Sequence, residues 1–253
     1  MGFWQTVSSL FFPPRCAACG TRLSLSFGED VSPYFCKSCH HDLKRQMLAQ
    51  CPTCFAAYCD CRCQPKILSQ KGSVALRKLS PYGAESEPHA IDLLIRNMKT
   101  HPRKRVIAAC VEELAPILKT ELSFWNEKTP ISHTVIAYLP RSRKKVLQYG
   151  FDQARELATA LSKETGYPVM PLLKRVKDGK TQKTLSVTER QANLRGAFGL
   201  RGEPAGLRVV LVDDIVTTGA GMAEGVRVLI KAKAAQVICL SVAVTPKKQA
   251  KGN

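Results

Sequence analysis

Four apolar residues, Val209, Val210, Leu211 and Val212, follow Arg208 without alternation, and Asp213 and Asp214 end the run. An unbroken apolar stretch of this length predicts a strand covered on both faces, as in a parallel α/β sheet. Thr217, Thr218, Gly219, Ala220 and Gly221 come shortly after, and Met222, Ala223, Val226, Leu229 and Ile230 then recur at helical spacing. That order predicts a strand, an anion-binding turn and a helix N-terminus. Gln236 to Val244 reads as a final buried strand, closing a βαβ unit whose crossover is expected to be right-handed.

The same pattern continues upstream. Val74 to Leu79 predicts a first strand. Pro88 then starts a helix in which Ile91, Leu94, Ile95 and Met98 share a face. Val106, Ile107, Cys110, Val111, Leu114, Ile117 and Leu118 outline a longer amphipathic helix, with Pro116 as a kink or boundary. Val135 to Leu139 predicts a second strand, and a helix beginning near Phe151 carries Ala154, Leu157, Ala158 and Leu161 before Gly166 stops it. Pro168 to Leu173 reads as a third strand and Gly196 to Leu200 as a short one, while Gln64 to Ser73 reads as a linker. Strands alternating with helices imply an α/β fold with an open, mostly parallel sheet and flanking helices.

The head of the chain has a different chemistry. Nine of the eleven cysteines lie between Cys16 and Cys63. Cys16/Cys19, Cys36/Cys39 and Cys51/Cys54 are CxxC pairs, and Cys59, Cys61 and Cys63 follow as CDCRC. Two CxxC turns complete a tetrahedral S4 site, and the sixteen residues between Cys19 and Cys36 fall in the zinc-ribbon gap of about 15–20. A structural zinc on Cys16, Cys19, Cys36 and Cys39 is therefore expected. A second is expected on Cys51, Cys54 and two of the last three cysteines, with Cys61 and Cys63 the chosen pair. His40 and His41 are alternative ligands that read better as surface residues. A disulfide framework fits poorly with a chain that shows no secretory signal, and a redox CxxC does not explain the repetition. The domains expected are 1–66 (zinc-binding), 67–246 (α/β) and 247–253 (basic tail).

Thirty-eight Lys plus Arg against twenty Asp plus Glu give a net charge of +18, which favours polyphosphate partners, whether nucleic acid or a phosphorylated small molecule. No apolar run is long enough for a membrane span, so no membrane insertion and a cytoplasmic location are expected. The Met1, Gly2 and Thr6 match to a myristoylation pattern is set aside because Phe3 and Trp4 are bulky. Arg96, Lys99, Arg103, Lys104 and Arg105 read as a solvated basic face or a contact for nucleic-acid phosphates. Lys174 to Arg195 is long, polar and basic, the pattern of a lid. Cys110 and Cys239 read as packing.

At the end of the central strand, Asp213 and Asp214 can accept paired hydrogen bonds from a ribose diol beside a 5′-phosphate seated on Thr217, Thr218, Gly219, Ala220 and Gly221. Mg²⁺ binding is the other option for the pair, and helix capping the bland one. A Walker loop is excluded, no GxGxxG follows a strand, and no Ser/His/Asp triad is suggested.

VVLVDDIVTTGAG resembles the phosphoribosyl-diphosphate signature of type I phosphoribosyltransferases. The cysteine-rich head, Tyr149 to Ala154 (YGFDQA), Gln182 to Leu185 and Arg190 to Phe198 (RQANLRGAF) resemble the competence protein ComF family, so the resemblance covers nearly the whole chain. It implies a type I phosphoribosyltransferase fold with a small zinc-binding head. Asp213 and Asp214 would be the ribose-binding acids of the reaction centre, and Pro140 to Lys144, with Arg141, Arg143 and Lys144, the pyrophosphate loop. The cofactors implied are Mg²⁺ with phosphoribosyl diphosphate, and zinc. Implied partners are single-stranded DNA taken up during natural transformation and other competence proteins. The chain reads YGFDQ where the family usually reads RGFNQ, which removes a cation at Tyr149 and adds an anion at Asp152; CDCRC likewise departs from a last CxxC. The readings that remain beside DNA uptake are a metabolic phosphoribosyltransferase for a nucleobase-like acceptor and a non-catalytic sensor or regulator.

Overall fold

The computed structural model describes residues 13–23, 32–83, 88–100, 104–129, 133–177 and 194–246. The expected tail at 247–253, most of the expected lid, Gln182 to Leu185, Arg103 and the residues of the acylation pattern lie outside them.

Strands β1 (Ser73–Pro81), β2 (Thr134–Tyr138), β5 (Arg208–Val216) and β6 (Gln236–Val244) form a parallel sheet in the order β1-β6-β5-β2. The lack of alternation in β5 has the expected cause. Val210 and Val212 pack with Leu94, Ile95, Leu114, Leu118, Leu157 and Leu161 of α3 (Ala90–Thr100), α4 (Lys104–Lys128) and α6 (Gln153–Thr165). Val209 and Leu211 pack on the opposite face with Met222, Val226 and Leu229 of α7 (Ala220–Lys231). Cys110 is buried in the first of these cores and Cys239 in the second, as expected. Gly225 of α7 permits the close approach: a Cβ there would lie 2.8 Å from Leu139 Cδ1.

Several boundaries differ from the sequence expectation. Pro168 to Leu173 is not one strand. Val169 makes a single parallel bridge to Ile136, and β3 (Leu173–Arg175) pairs instead with β4 (Phe198–Leu200) in a separate antiparallel ribbon. Pro168 and Pro171 carry no N–H and so break the ladder. Helix α3 begins at Ala90 rather than Pro88, because Asp92 Oδ2 accepts the His89 N–H at 2.9 Å and Asp42 Oδ2 accepts the Ala90 N–H at 2.7 Å. Helix α4 runs through Pro116 for 25 residues. Pro116 is exposed between buried Leu114, Ala115, Ile117 and Leu118, so the carbonyl it frees faces water while packing holds both halves. The expected linker carries a helical turn, α2 (Lys66–Ser69), whose Leu68 is fully buried beneath α7.

The cysteine-rich head contributes α1 (Lys37–Leu48) and shares its apolar core with the body: Phe35, Leu43 and Met47 belong to the same buried cluster as α3 and α4. Arg105 fastens the two, donating to the carbonyls of Arg15 at 2.8 Å and of Pro33 and lying over the Tyr34 ring. It is therefore a structural clasp rather than part of a free basic face. Among the described residues no helix is long and apolar enough to cross a membrane.

Candidate functional site

Strand β5 carries the acidic pair rather than ending at it, since Asp213 stands in register with Ser241 and the ladder continues to Val216. Asp213 Oδ1 accepts the Asp214 N–H at 2.8 Å, and Asp214 Oδ1 accepts the Ile215 N–H at 2.9 Å. The other oxygen of Asp214, Oδ2, accepts from Gln153 Nε2 at 3.3 Å and lies 3.6 Å from Lys99 Nζ. Asp214 is 5% exposed and Asp213 half-buried. Burial, then the adjacent Asp214 carboxylate, pushes Asp213 well above the usual carboxylate range, and Lys99 partly opposes the shift.

Immediately beyond, Gly219 takes φ 78° as the N-cap of α7, a left-handed conformation that side chains resist. Its turn lies against the head-side segment, where a Cβ on Gly219 would sit 3.3 Å from Ile67 and Pro65. The first amides of α7, beside Thr217 and Thr218, form the kind of end at which an anion is stabilised.

At the neighbouring strand end, Arg141 follows β2 after two residues, but Arg143 and Lys144 do not lie in the expected loop. They open a short helix, α5 (Arg143–Tyr149), whose N-cap Ser142 Oγ accepts the Lys145 N–H and which buries none of its residues. Serine caps helices well, and Gly150 at φ 80° ends this one, which explains the difference. The Arg141 guanidinium lies 4.6 Å over the Tyr149 ring and 5.6 Å over Phe151, and its buried Nε and Nη1 have no hydrogen-bond partner. Nε and Nη1 point from different edges of the guanidinium, so each is left to donate singly, as to separate oxygens of a polyanion.

The YGFDQ departure acquires a physical account here. Tyr149 supplies a π face to Arg141 where an arginine would repel it. Asp152 caps α6 by accepting the Arg155 N–H at 3.3 Å and holds Arg141 through its N–H at 2.8 Å. The adjacent Gln153 reaches Asp214, so the dipeptide ties the two strand ends together. Sequence reasoning placed Lys99 in a basic cluster but not beside Asp214, and it missed the roles of Gln153 and of Glu224, whose Oε1 accepts the Gly196 N–H at 2.7 Å and anchors the chain entering β4. Lys99 could have been found only by knowing how α3 packs.

The head brings together Cys16, Cys19, Cys36 and Cys39, and separately Cys51, Cys54, Cys61 and Cys63, the sulfurs of each group lying within 4.8 Å of one another. Cys19 and Cys36 Sγ are 3.7 Å apart, and Cys54 and Cys61 Sγ 3.5 Å. A tetrahedral zinc site with Zn–S near 2.3 Å has S···S edges of about 3.8 Å, so both groups fit a metal far better than a disulfide. Burial opposes ionisation, yet hydrogen bonds from Thr21 and neighbouring thiols carry Cys19 down to about 6. Those from the Thr53 and Cys54 amides and nearby thiols do the same for Cys51. Burial and the neighbouring sulfurs push Cys36, Cys39, Cys61 and Cys63 upward, Cys63 to about 12. Within each group the hydrogen bonds favour the thiolate at Cys19 and at Cys51, the form that binds metal. Cys59 and both histidines lie outside the groups among the described residues; His40 stacks on Phe35.

The second cysteine group leans on the body. Lys78 of β1, 2% exposed, donates from Nζ to Cys61 Sγ at 3.1 Å and to the Cys63 carbonyl at 2.7 Å. Arg77 grips the Cys59 carbonyl at 2.7 Å, and the Leu76 N–H meets the Arg62 carbonyl, so the CDCRC segment covers the outer edge of β1. An ammonium beside a thiolate offsets the charge of a tetrathiolate site. Lys78→Met is expected to weaken metal at this group about 10–100-fold and leave the first group unchanged. Metal content under graded chelator checks it, and equal release from both groups would sink the idea.

A family model described as the phosphoribosyl transferase domain matches residues 146–252. Competence protein ComFC of Bacillus subtilis is 32% identical over 130 residues, covering 49% of this chain and 51% of that protein. The DNA utilization protein YhgH of Salmonella typhimurium is 30% identical over 237 residues, covering 91% of this chain and 98% of that protein. The chain belongs to the ComF family. Its body has the type I phosphoribosyltransferase fold, an open parallel sheet with flanking helices, joined to a cysteine-rich head suited to metal. Among solved structures, the hypoxanthine phosphoribosyltransferase of Trypanosoma cruzi in complex with the product IMP is 14% identical to this ComF chain. The match covers 58% of this chain and 71% of that one, with a TM-score of 0.34.

Proposed function

We propose that this ComF protein handles single-stranded DNA during DNA uptake in the cytoplasm, using a body (67–246) that binds phosphoribosyl diphosphate and a head (1–66) that holds two structural zinc ions. The observation that carries the reading is the Asp213/Asp214 pair set directly before a left-handed Gly219 and the amides of α7. In it the two carboxylates accept the ribose hydroxyls, and residues 217–221 take the 5′-phosphate. Arg141, with its unpartnered nitrogens, takes the pyrophosphate together with Arg143 and Lys144. Mg²⁺, held by the acids and the ligand, would supply charge neutralisation at the departing pyrophosphate. Displacement at the anomeric carbon passes through an oxocarbenium-like state, so the chain's part is to position the reactants and stabilise developing charge, with no covalent nucleophile. The names of the relatives and the charge of +18 support the DNA role.

Calorimetry with phosphoribosyl diphosphate and Mg²⁺ is expected to show binding by the wild type and none by Asp213→Ala/Asp214→Ala. Equal binding by both removes the site. Pyrophosphate release across a panel of bases then separates turnover from sensing, and single-strand binding should weaken steeply between low and moderate salt.

A further inference from the structure

Helix α3 is held by the first cysteine group at both ends. At its start, Asp42 Oδ2 accepts the Ala90 N–H at 2.7 Å and Asp42 Oδ1 lies 3.1 Å from His89 Nδ1. Asp42 belongs to α1, which has Cys36 as its N-cap and Cys39 in its first turn. Near the other end, Asn97 Nδ2 donates to the carbonyls of Ala17 and Ala18, both at 2.8 Å. Those two residues lie between Cys16 and Cys19. Both CxxC turns of the group therefore grip α3, one directly and one through α1.

Two residues beyond Asn97, Lys99 Nζ lies 3.6 Å from Asp214 Oδ2. A step of two residues turns a helix by about 200°, so the face that meets the head and the face that meets the acids are opposite. Ile91, Leu94, Ile95 and Met98 fill the buried stripe between them. The helix is thus a rigid bar with the cysteine group on one side and the acidic pair on the other.

We propose that the first metal centre serves as a positioning element of the ligand site: through Asn97 and Asp42 it sets α3, and through α3 it sets Lys99 against Asp214. The inference rests on the phosphoribosyl-diphosphate reading of that site. Lys99 is a cation that meets the acids, and Asn97 and Asp42 act through it. Losing the metal would leave the carbonyls of Ala17 and Ala18 without a fixed place, and Lys99 with them.

The test uses the full-length, zinc-loaded protein and calorimetry with phosphoribosyl diphosphate and Mg²⁺. Lys99→Met is expected to weaken binding about 3–10-fold, and Lys99→Arg to retain part of what is lost. Asn97→Ala should weaken binding to a similar degree with zinc content unchanged. In the Lys99→Met background it should cost nothing further, because its effect passes through the same ammonium. A residue with only a structural role would still act in that background. Wild-type affinity in Asn97→Ala, or costs that add, overturns the proposal. If Asn97→Ala loses zinc or melts early, Asp42→Ala in the same cycle decides it by the same criteria. Binding lost with the aspartates but indifferent to Asn97 and Asp42 overturns the helix alone; no binding by the wild type overturns the site reading and this inference with it.

Discussion

Stripping zinc from the purified, reduced protein is expected to release about two ions per chain and to unfold the head while the central sheet persists. The interior of the head has little else to hold it. Among the described residues its buried apolar side chains are few, chiefly Phe35, Leu43, Met47 and Tyr58, and its polar links to the body include carbonyls held by Asn97, Arg105, Arg77 and Lys78, the Asp42 carboxylate on the Ala90 N–H, and the ion pairs Lys44–Glu113 and Arg62–Glu121. Structural zinc contributes about 10–16 kcal/mol to peptide-sized sites, comparable with the whole stability of a typical domain at about 5–15 kcal/mol. Metal loss therefore outweighs every other change available to this segment. Those carbonyl contacts depend on the CxxC turns keeping their shape, so the segment should become protease-sensitive as the metal leaves. The edge of β1 then loses the CDCRC cover, and the apo protein should also tend to associate. Metal analysis, limited proteolysis and a melt before and after chelation measure all three. Fresh protein without zinc, or a chelated sample with an unchanged melt and protease pattern, would falsify this account.

What the sequence made legible was whatever a local pattern encodes. The unbroken apolar residues of β5 and β6, the helical spacing of α7 and the CxxC pairs each carry their own signal, and each lies where the pattern points. What stayed hidden depends on partners far away in sequence. Lys99 looks like one more cation between two helices until α3 packs beside β5. Arg105 looks solvated until Arg15 and Pro33 present carbonyls to it. Lys78 and Arg77 interrupt the apolar run of β1, and only the fold shows that β1 is an edge with cysteine carbonyls beside it. Helix α5 was lost for a different reason. None of its seven residues is buried, so no apolar face marks it, and only the Ser142 cap and Gly150 set its limits.

Replacing Asp213 by asparagine should move stability and ligand binding in opposite directions. Burial and the Asp214 carboxylate raise the Asp213 pKa in the folded protein above its ordinary value of 3.8. Between those two values the folded state binds more proton than the unfolded chain, so stability falls as pH rises through that window. Below the ordinary value both states are protonated and the penalty vanishes. An asparagine side chain carries no charge and keeps an oxygen for the Asp214 N–H, so the variant escapes the penalty without losing that hydrogen bond. The melting temperatures of Asp213→Asn and the wild type should be closest in acid and separate as pH rises, with the variant higher. The separation is expected to be about 2–4 °C for each kcal/mol of repulsion removed. Binding of phosphoribosyl diphosphate should weaken about 10–150-fold, the worth of a charged hydrogen bond of about 1.5–3 kcal/mol. A gap that stays flat across pH would mean that Asp213 is not held above its ordinary range, and unchanged affinity would mean that it does not meet the ligand. Both expected results together would mark the pair as residues kept at a cost to the fold for the ligand they receive.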